Sequence, residues 1–275
     1  MSALWVFADS ELSSAISEHL LGGKAGNLLR LKELGQQVPR FYVISAEAMR
    51  RVVGDNINRP DDRATEPNWT EIRQRMDTAG ITSELEHAVR TVHALCFPTE
   101  CAVAVRSSAT AEDGEQHSFA GLYDSVLNVL DVEDVLAAIR QVWASTFSPR
   151  VIAYRQQRGL LLMDTGMAVI VQQMIDARQS GVCFTCNPTT GSPHEIVINS
   201  VFGAGEGLVS QGFSADSFTV VKKTMTVTSQ LSEKREQLIQ AKEPGGLQCV
   251  EVAESHWHQS SLSDEQVQQV ARASL

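Results

Sequence analysis

Arg106 and the hydroxylated residues that follow it, in the run Val105-Arg106-Ser107-Ser108-Ala109-Thr110, have the types and spacing to do chemistry. A guanidinium fork takes two phosphoryl oxygens at once. Ser107, Ser108 and Thr110 are small enough to let backbone N–H groups approach an anion, and each adds a hydroxyl donor. The loop closes on Gly121, after which Tyr123 to Val129 again reads as a strand. Holding phosphate is the chemistry such a set would serve. Composition alone leaves a polar hairpin with a surface arginine equally open, because serine-rich loops are common.

A second cation lies upstream, in Gly22-Gly23-Lys24-Ala25-Gly26. Leucines at 28, 31 and 34 recur at helical spacing before Gly35 ends the turn, which places Lys24 near a helix N-terminus. A glycine-rich start to a helix exposes N–H groups, and an ammonium there adds a point charge suited to phosphate. A solvated lysine on a glycine loop is the plainer reading of these residues alone. The GxxxxGK[ST] spacing of a P-loop is missing.

Several elements must position these groups. Val103 and Val105 predict a short buried strand leading to Arg106, and Met167 to Ile175 a second, almost continuously apolar one. Glu84 to Leu95 reads as a helix burying Leu85, Ala88, Val89 and Val92, with His87 and His93 as ordinary helix residues. Asp131 caps a helix whose stripe is Val132, Val135, Leu136, Ile139, Val142 and Trp143. Pro149 begins a shorter helix that Gly159 can end, with Arg150 and Arg155 on its polar face unless the fold turns them inward. Gly181–Thr185, Glu195–Asn199 and Ser217–Val221 read as strands, Gly203 to Gly207 as a turn carrying one carboxylate, and Asp55 to Asn68 as an exposed excursion. Ser263 and Gln266 form a capping box before Val267, Val270, Ala271 and Leu275.

The chain of 275 residues has an ordinary apolar fraction of 43%, enough for two lobes. Its net charge of −10 excludes a global field drawing it to nucleic acid or anionic lipid, so an anionic ligand needs a local cationic cluster. No run predicts a membrane span and no signal peptide is evident, which makes the cytoplasm the expected location. Five cysteines, an odd number without secreted spacing, fit reduced thiols. Cys183 and Cys186 lie in a strand-like stretch and read as structural, and His256-Trp257-His258 reads as a surface turn.

The joint pattern is more specific than any of its parts. VRSSATAED (Val105 to Asp113), SFAG (Ser118 to Gly121) and Ser125 before Leu127-Asn128 resemble the signature of the N-terminal nucleotide-binding domain shared by phosphoenolpyruvate synthase, pyruvate phosphate dikinase and rifampicin phosphotransferase. Leu21 to Pro39, Trp143 to Tyr154, Met167 to Pro188 and Phe202 to Asp216 are similar to further blocks of that family in the expected order. The resemblance implies an α/β (α+β) domain of ATP-grasp type, two lobes around a cleft spanning 1–275, with approximate lobes 1–185 and 186–275. It implies ATP as ligand, Lys24 and Arg106 as the catalytic cations, and Gly121, Ser125 and Gln172 as further nucleotide contacts. Gln173 to Ile175 would line the base.

The family continues past the equivalent of the last helix to acidic residues that bind Mg²⁺, so the resemblance implies a domain lacking its C-terminal elements and metal ligands. It also implies a phosphate-accepting histidine on another domain and an acceptor-binding domain for pyruvate or rifampicin, with a separate chain as one place for both. Full turnover by this chain alone is not expected. A non-catalytic nucleotide-binding or docking module acting with a separate chain is one alternative, and the ATP-binding domain of a rifampicin phosphotransferase is another.

Overall fold

The structure, a computed structural model, describes residues 5–12, 18–57, 69–78, 81–99, 101–110, 122–159, 166–243 and 245–275. The chain divides into two compact units, Met1–Met174 and Ile175–Leu275.

The first unit is built on a five-stranded sheet. Its strands are β1 (Val6–Ala8), β2 (Phe41–Ile44), β3 (Val103–Ala109), β4 (Ser125–Val129) and β5 (Met167–Gln173), in the spatial order β1-β2-β5-β3-β4, and every pairing is antiparallel. The strand predicted from the apolar run at 167 lies in the middle. Both faces of the sheet are covered, which explains why β5 is apolar without alternation. One face packs against α1 (Glu18–Glu33), which contributes Leu21, Ala25 and Leu29 opposite Phe41, Val43, Ala168 and Ile170. The other carries α2 (Ala46–Ile57), α3 (Trp69–Thr78), α4 (Ser83–Cys96), α5 (Val132–Ser145) and α6 (Pro149–Gln157). Fully burying a leucine such as Leu21 or Leu29 contributes roughly 1.5–3 kcal/mol.

Local caps set the helix ends. Asp131 Oδ1 accepts from the Asp134 N–H at 2.8 Å, Thr82 Oγ1 from Leu85 N–H at 3.3 Å, and Ser148 Oγ from Val151 N–H at 3.4 Å ahead of Pro149. The α5 stripe is buried from Val135 to Trp143, whose indole N–H donates to Met167 O at 3.1 Å.

Three expectations change. The leucine face of α1 is not 28, 31 and 34: Leu31 and Leu34 are exposed, and the buried row is Leu21, Ala25 and Leu29. Arg155 turns inward and is buried, and His93 accepts or donates at Tyr42 Oη, 3.2 Å from its Nδ1. Burial holds the Tyr42 phenol well above its usual pKa and lowers that of His93. Residues 55–57 close α2, and the rest of the excursion expected at 55–68 lies outside the described residues.

The second unit contains a meander of β6 (Gln179–Phe184), β7 (Glu195–Phe202), β8 (Asp216–Val221) and β9 (Thr226–Gln230), and a hairpin of β10 (Glu236–Gln240) and β11 (Leu247–Glu251). The turn after β7 holds α7 (Glu206–Val209). The last helix, α8 (Asp264–Ala273), has the expected capping box, with Ser263 and Gln266 bonded reciprocally at 2.9 and 3.2 Å. Val267 and Ala271 pack on Ile196, Ile198, Phe218 and Val220, whereas Val270 and Leu275 are exposed. Among the described residues no helix is long and apolar enough to cross a membrane.

At the end of this apolar face sits a buried ion pair. Lys234 Nζ donates to Asp216 Oδ1 at 2.6 Å and to Ser232 O at 2.8 Å, and Asp216 accepts from Ser232 N–H, Ser261 N–H and Ser261 O–H at 2.7–2.9 Å. Burial opposes ionisation of Asp216, yet Lys234 and these donors outweigh it and hold its carboxyl below the usual carboxylate range. Removing one partner leaves an uncompensated buried charge. Lys234→Met is therefore expected to lower the stability of the second unit by about 3–5 kcal/mol in urea unfolding followed at Trp257. A loss below about 0.5 kcal/mol, the range of ordinary surface changes, would show that the pair does not hold this unit together.

Candidate functional site

Of the residues expected from sequence, Lys24 lies on α1, Arg106 on β3, Ser125 on β4 and Gln172 on β5, all within the first unit. In the β3–β4 ladder Arg106 is directly opposite Ser125, and in the β3–β5 ladder Ala104 is opposite Gln172. Residues 104 and 106 share a face of the strand, so Gln172 reaches Arg106 diagonally. Arg106 Nη1 donates to Gln172 Oε1 at 2.9 Å. Guanidinium has donors only, so the amide oxygen must face it and the Gln172 –NH₂ is left as a donor. Gln172 is buried, Arg106 half-buried and Ser125 exposed. Gly121 lies outside the described residues.

Lys24 comes to the same strand from α1. Its Nζ donates to Ser107 Oγ at 3.3 Å, across 83 residues of sequence. The geometry of α1 explains this approach. Gly22 interrupts the helix with φ 74° and ψ 165°, and the segment that resumes carries Lys24 in its first turn. The cap for that turn comes from β3: Ser108 Oγ accepts from the Ala25 N–H at 3.1 Å and donates to Leu21 O at 2.8 Å. An N-cap side chain makes the same kind of bond to the third residue of its own helix.

The assigned tasks of the serines therefore change. Ser108 is fully buried and its proton is directed at Leu21 O, so it holds α1 and is not the phosphate donor expected from its place in the run. Thr110 Oγ1 likewise donates to Gly166 O at 3.1 Å. Ser107, also fully buried, is an acceptor for Lys24. The sequence clue to this latch was the paired glycines at 22 and 23, a sign of close backbone approach.

No metal centre is formed by these groups, which are an ammonium, a guanidinium, an amide and hydroxyls. Among the described residues there is no cluster of three or more His, Cys, Asp or Glu side chains that could hold a metal ion. Cys183 packs partly beside the α8 face and Cys186 is exposed beyond the end of β6.

The latch depends on a missing side chain. A Cβ on Gly22 would fall 2.0 Å from Ser108 O, against backbone that cannot give way, and its φ is in the left-handed region. Gly22→Ala is expected to destabilise the first unit by about 3 kcal/mol, combining backbone strain and overpacking. Denaturant unfolding measures this. A variant as stable as the parent would mean that α1 does not sit against β3 in this way.

Residues 18–275 match the family model for the pyruvate phosphate dikinase AMP/ATP-binding domain. The chain is 32% identical over 274 residues to a probable phosphoenolpyruvate synthase of Methanocaldococcus jannaschii, covering 93% of this chain and 23% of that protein. It is 31% identical over 307 residues to the phosphoenolpyruvate synthase of Pyrococcus furiosus, covering 92% and 38% respectively. To the rifampicin phosphotransferase of Bacillus subtilis it is 34% identical over 266 residues, covering 92% and 30%. The chain thus spans between about a quarter and two-fifths of the length of these relatives. It belongs to the pyruvate phosphate dikinase AMP/ATP-binding domain family.

Proposed function

We propose that this chain binds ATP with Lys24 and Arg106 on its phosphates, Gly121 and Ser125 contacting them from the loop and strand beside Arg106, and Gln172 adjoining the nucleotide. The observation that carries the reading is that one strand engages two cations: β3 contributes Arg106, which bonds Gln172, and its next residue, Ser107, bonds Lys24. An ATP-grasp architecture, with the nucleotide in a cleft between lobes, is part of the same proposal and follows from the family.

Phosphoryl transfer asks for positioning and for neutralisation of charge that develops on the transferred group. Arg106, fixed by Gln172, supplies a planar fork suited to two phosphoryl oxygens, while Lys24 supplies a point charge beside backbone N–H groups of a first helical turn. Together they would offset charge on the donor phosphates and hold them in one orientation. The residues described around Arg106 do not furnish the carboxylates that Mg²⁺ requires, and no step is assigned to a metal.

The acceptor half belongs to the proposal at a coarser level. Identity is nearly equal to the phosphoenolpyruvate synthases and to the rifampicin enzyme, at 31–34%. That similarity supports a shared donor site and favours neither acceptor. We infer a phosphoryl-donating domain of a phosphoenolpyruvate synthase-like phosphotransferase, passing phosphate to a histidine on a further domain.

Calorimetric titration with ATP tests the site. Loss of a charge-assisted hydrogen bond of about 1.5–3 kcal/mol predicts that Arg106→Ala and Lys24→Ala each weaken ATP binding by about tenfold or more. Affinities within about twofold of the parent in both variants would remove the two cations from the phosphate site.

A further inference from the structure

We propose that Gln172 is a positioning residue that holds the Arg106 guanidinium without neutralising it, reserving that charge for the phosphate end of the nucleotide. The inference rests on the nucleotide reading above and assigns Gln172 a task distinct from contact with the nucleoside.

The other cations fall into two groups: some, such as Arg150 and Arg272, bond neutral oxygens of Leu122 and Gln268 at the exposed surface, and several are matched by carboxylates. Lys32 pairs with Asp9, Arg90 with Glu86 and Glu133, Lys234 with Asp216, and Arg235 with Glu233. Each of those charges is balanced by a carboxylate within the protein. Arg106 forms no ion pair among the described residues, and its side-chain bond there is to the neutral Gln172 amide at 2.9 Å. The amide is 6% exposed and fixed in the β5 ladder opposite Ala104 and Phe41, so its reach to Arg106 is set by backbone register.

A carboxylate at 172 would have nearly the same shape and would accept the same bond. It would also form a charge-assisted pair with Arg106 in a partly desolvated place and cancel the field that attracts a polyanion. Glutamine supplies the geometry and leaves the charge. The cost of a glutamate here should therefore grow with the number of phosphates on the ligand, whereas loss of a nucleoside contact would cost every nucleotide alike.

The test is calorimetric titration of the full chain with ATP, ADP and AMP at one salt concentration, comparing the parent with Gln172→Glu, Gln172→Met and Arg106→Ala. Gln172→Glu is expected to weaken ATP by about tenfold or more, the loss shrinking from ATP to ADP to AMP. Gln172→Met, which frees the guanidinium without neutralising it, is expected to lose less ATP affinity than Gln172→Glu. ATP binding by Gln172→Glu within twofold of the parent, or an equal fold-loss for all three nucleotides, overturns the inference. If thermal melts show that Gln172→Glu does not fold, Gln172→Met decides: a loss for ATP greater than for AMP supports the assignment, and an equal loss overturns it. Arg106→Ala separates the two levels. Unchanged ATP binding in that variant, or none in the parent, overturns the nucleotide reading as well, whereas weakened binding there with Gln172→Glu unaffected overturns only the role of Gln172.

Discussion

The Ser108 hydroxyl bridges two backbone groups of α1, the Ala25 N–H and the Leu21 carbonyl, on either side of the break at Gly22. The placing of Lys24 depends on that bridge. It fixes where the helix restarts and so where Lys24 projects, and it belongs to the same strand as Arg106. The two cations are thereby set by one ladder and one close backbone approach, and not by two mobile loops. Such an arrangement holds charge in place before a ligand arrives, which is how a protein avoids reorganisation cost at the moment of transfer.

Electrostatics divides the molecule in a related way. In the second unit, Lys234 is buried and matched to Asp216 with further donors from Ser232 and Ser261, so its charge serves the interior. In the first, Arg106 has a neutral amide for its neighbour and Lys24 donates to a hydroxyl. A chain of net charge −10 attracts polyanions only where cations are locally unbalanced, and Arg106 meets that description among the described residues.

What could be read from the sequence followed the range of the interactions. Caps at Asp131 and Ser263 act within three residues, and the structure contains them at those positions. The apolar run at 167 marked the central strand because both sheet faces are covered. The buried face of α1 was not legible, since the positive φ of Gly22 resets the helical phase through a contact with Ser108, which is 86 positions away by subtraction of their residue numbers. Short antiparallel partners such as β2 and β9 carry little signal of their own and are specified by pairing. Likewise the composition of the run Arg106 to Thr110 could not tell that Ser108 and Thr110 direct their hydroxyl protons at Leu21 and Gly166.

The central claim, that the latched α1 presents Lys24 to the phosphates of ATP, is tested most directly by labelling with an ATP bearing an acyl group on its terminal phosphate. A lysine amine held beside that phosphate attacks the acyl carbonyl and expels ATP, leaving an amide that peptide mass spectrometry locates. The account predicts acylation concentrated at Lys24 and suppressed by excess ATP. Labelling spread over exposed lysines such as Lys32 and Lys223, with Lys24 unmarked and no protection by ATP, would contradict it.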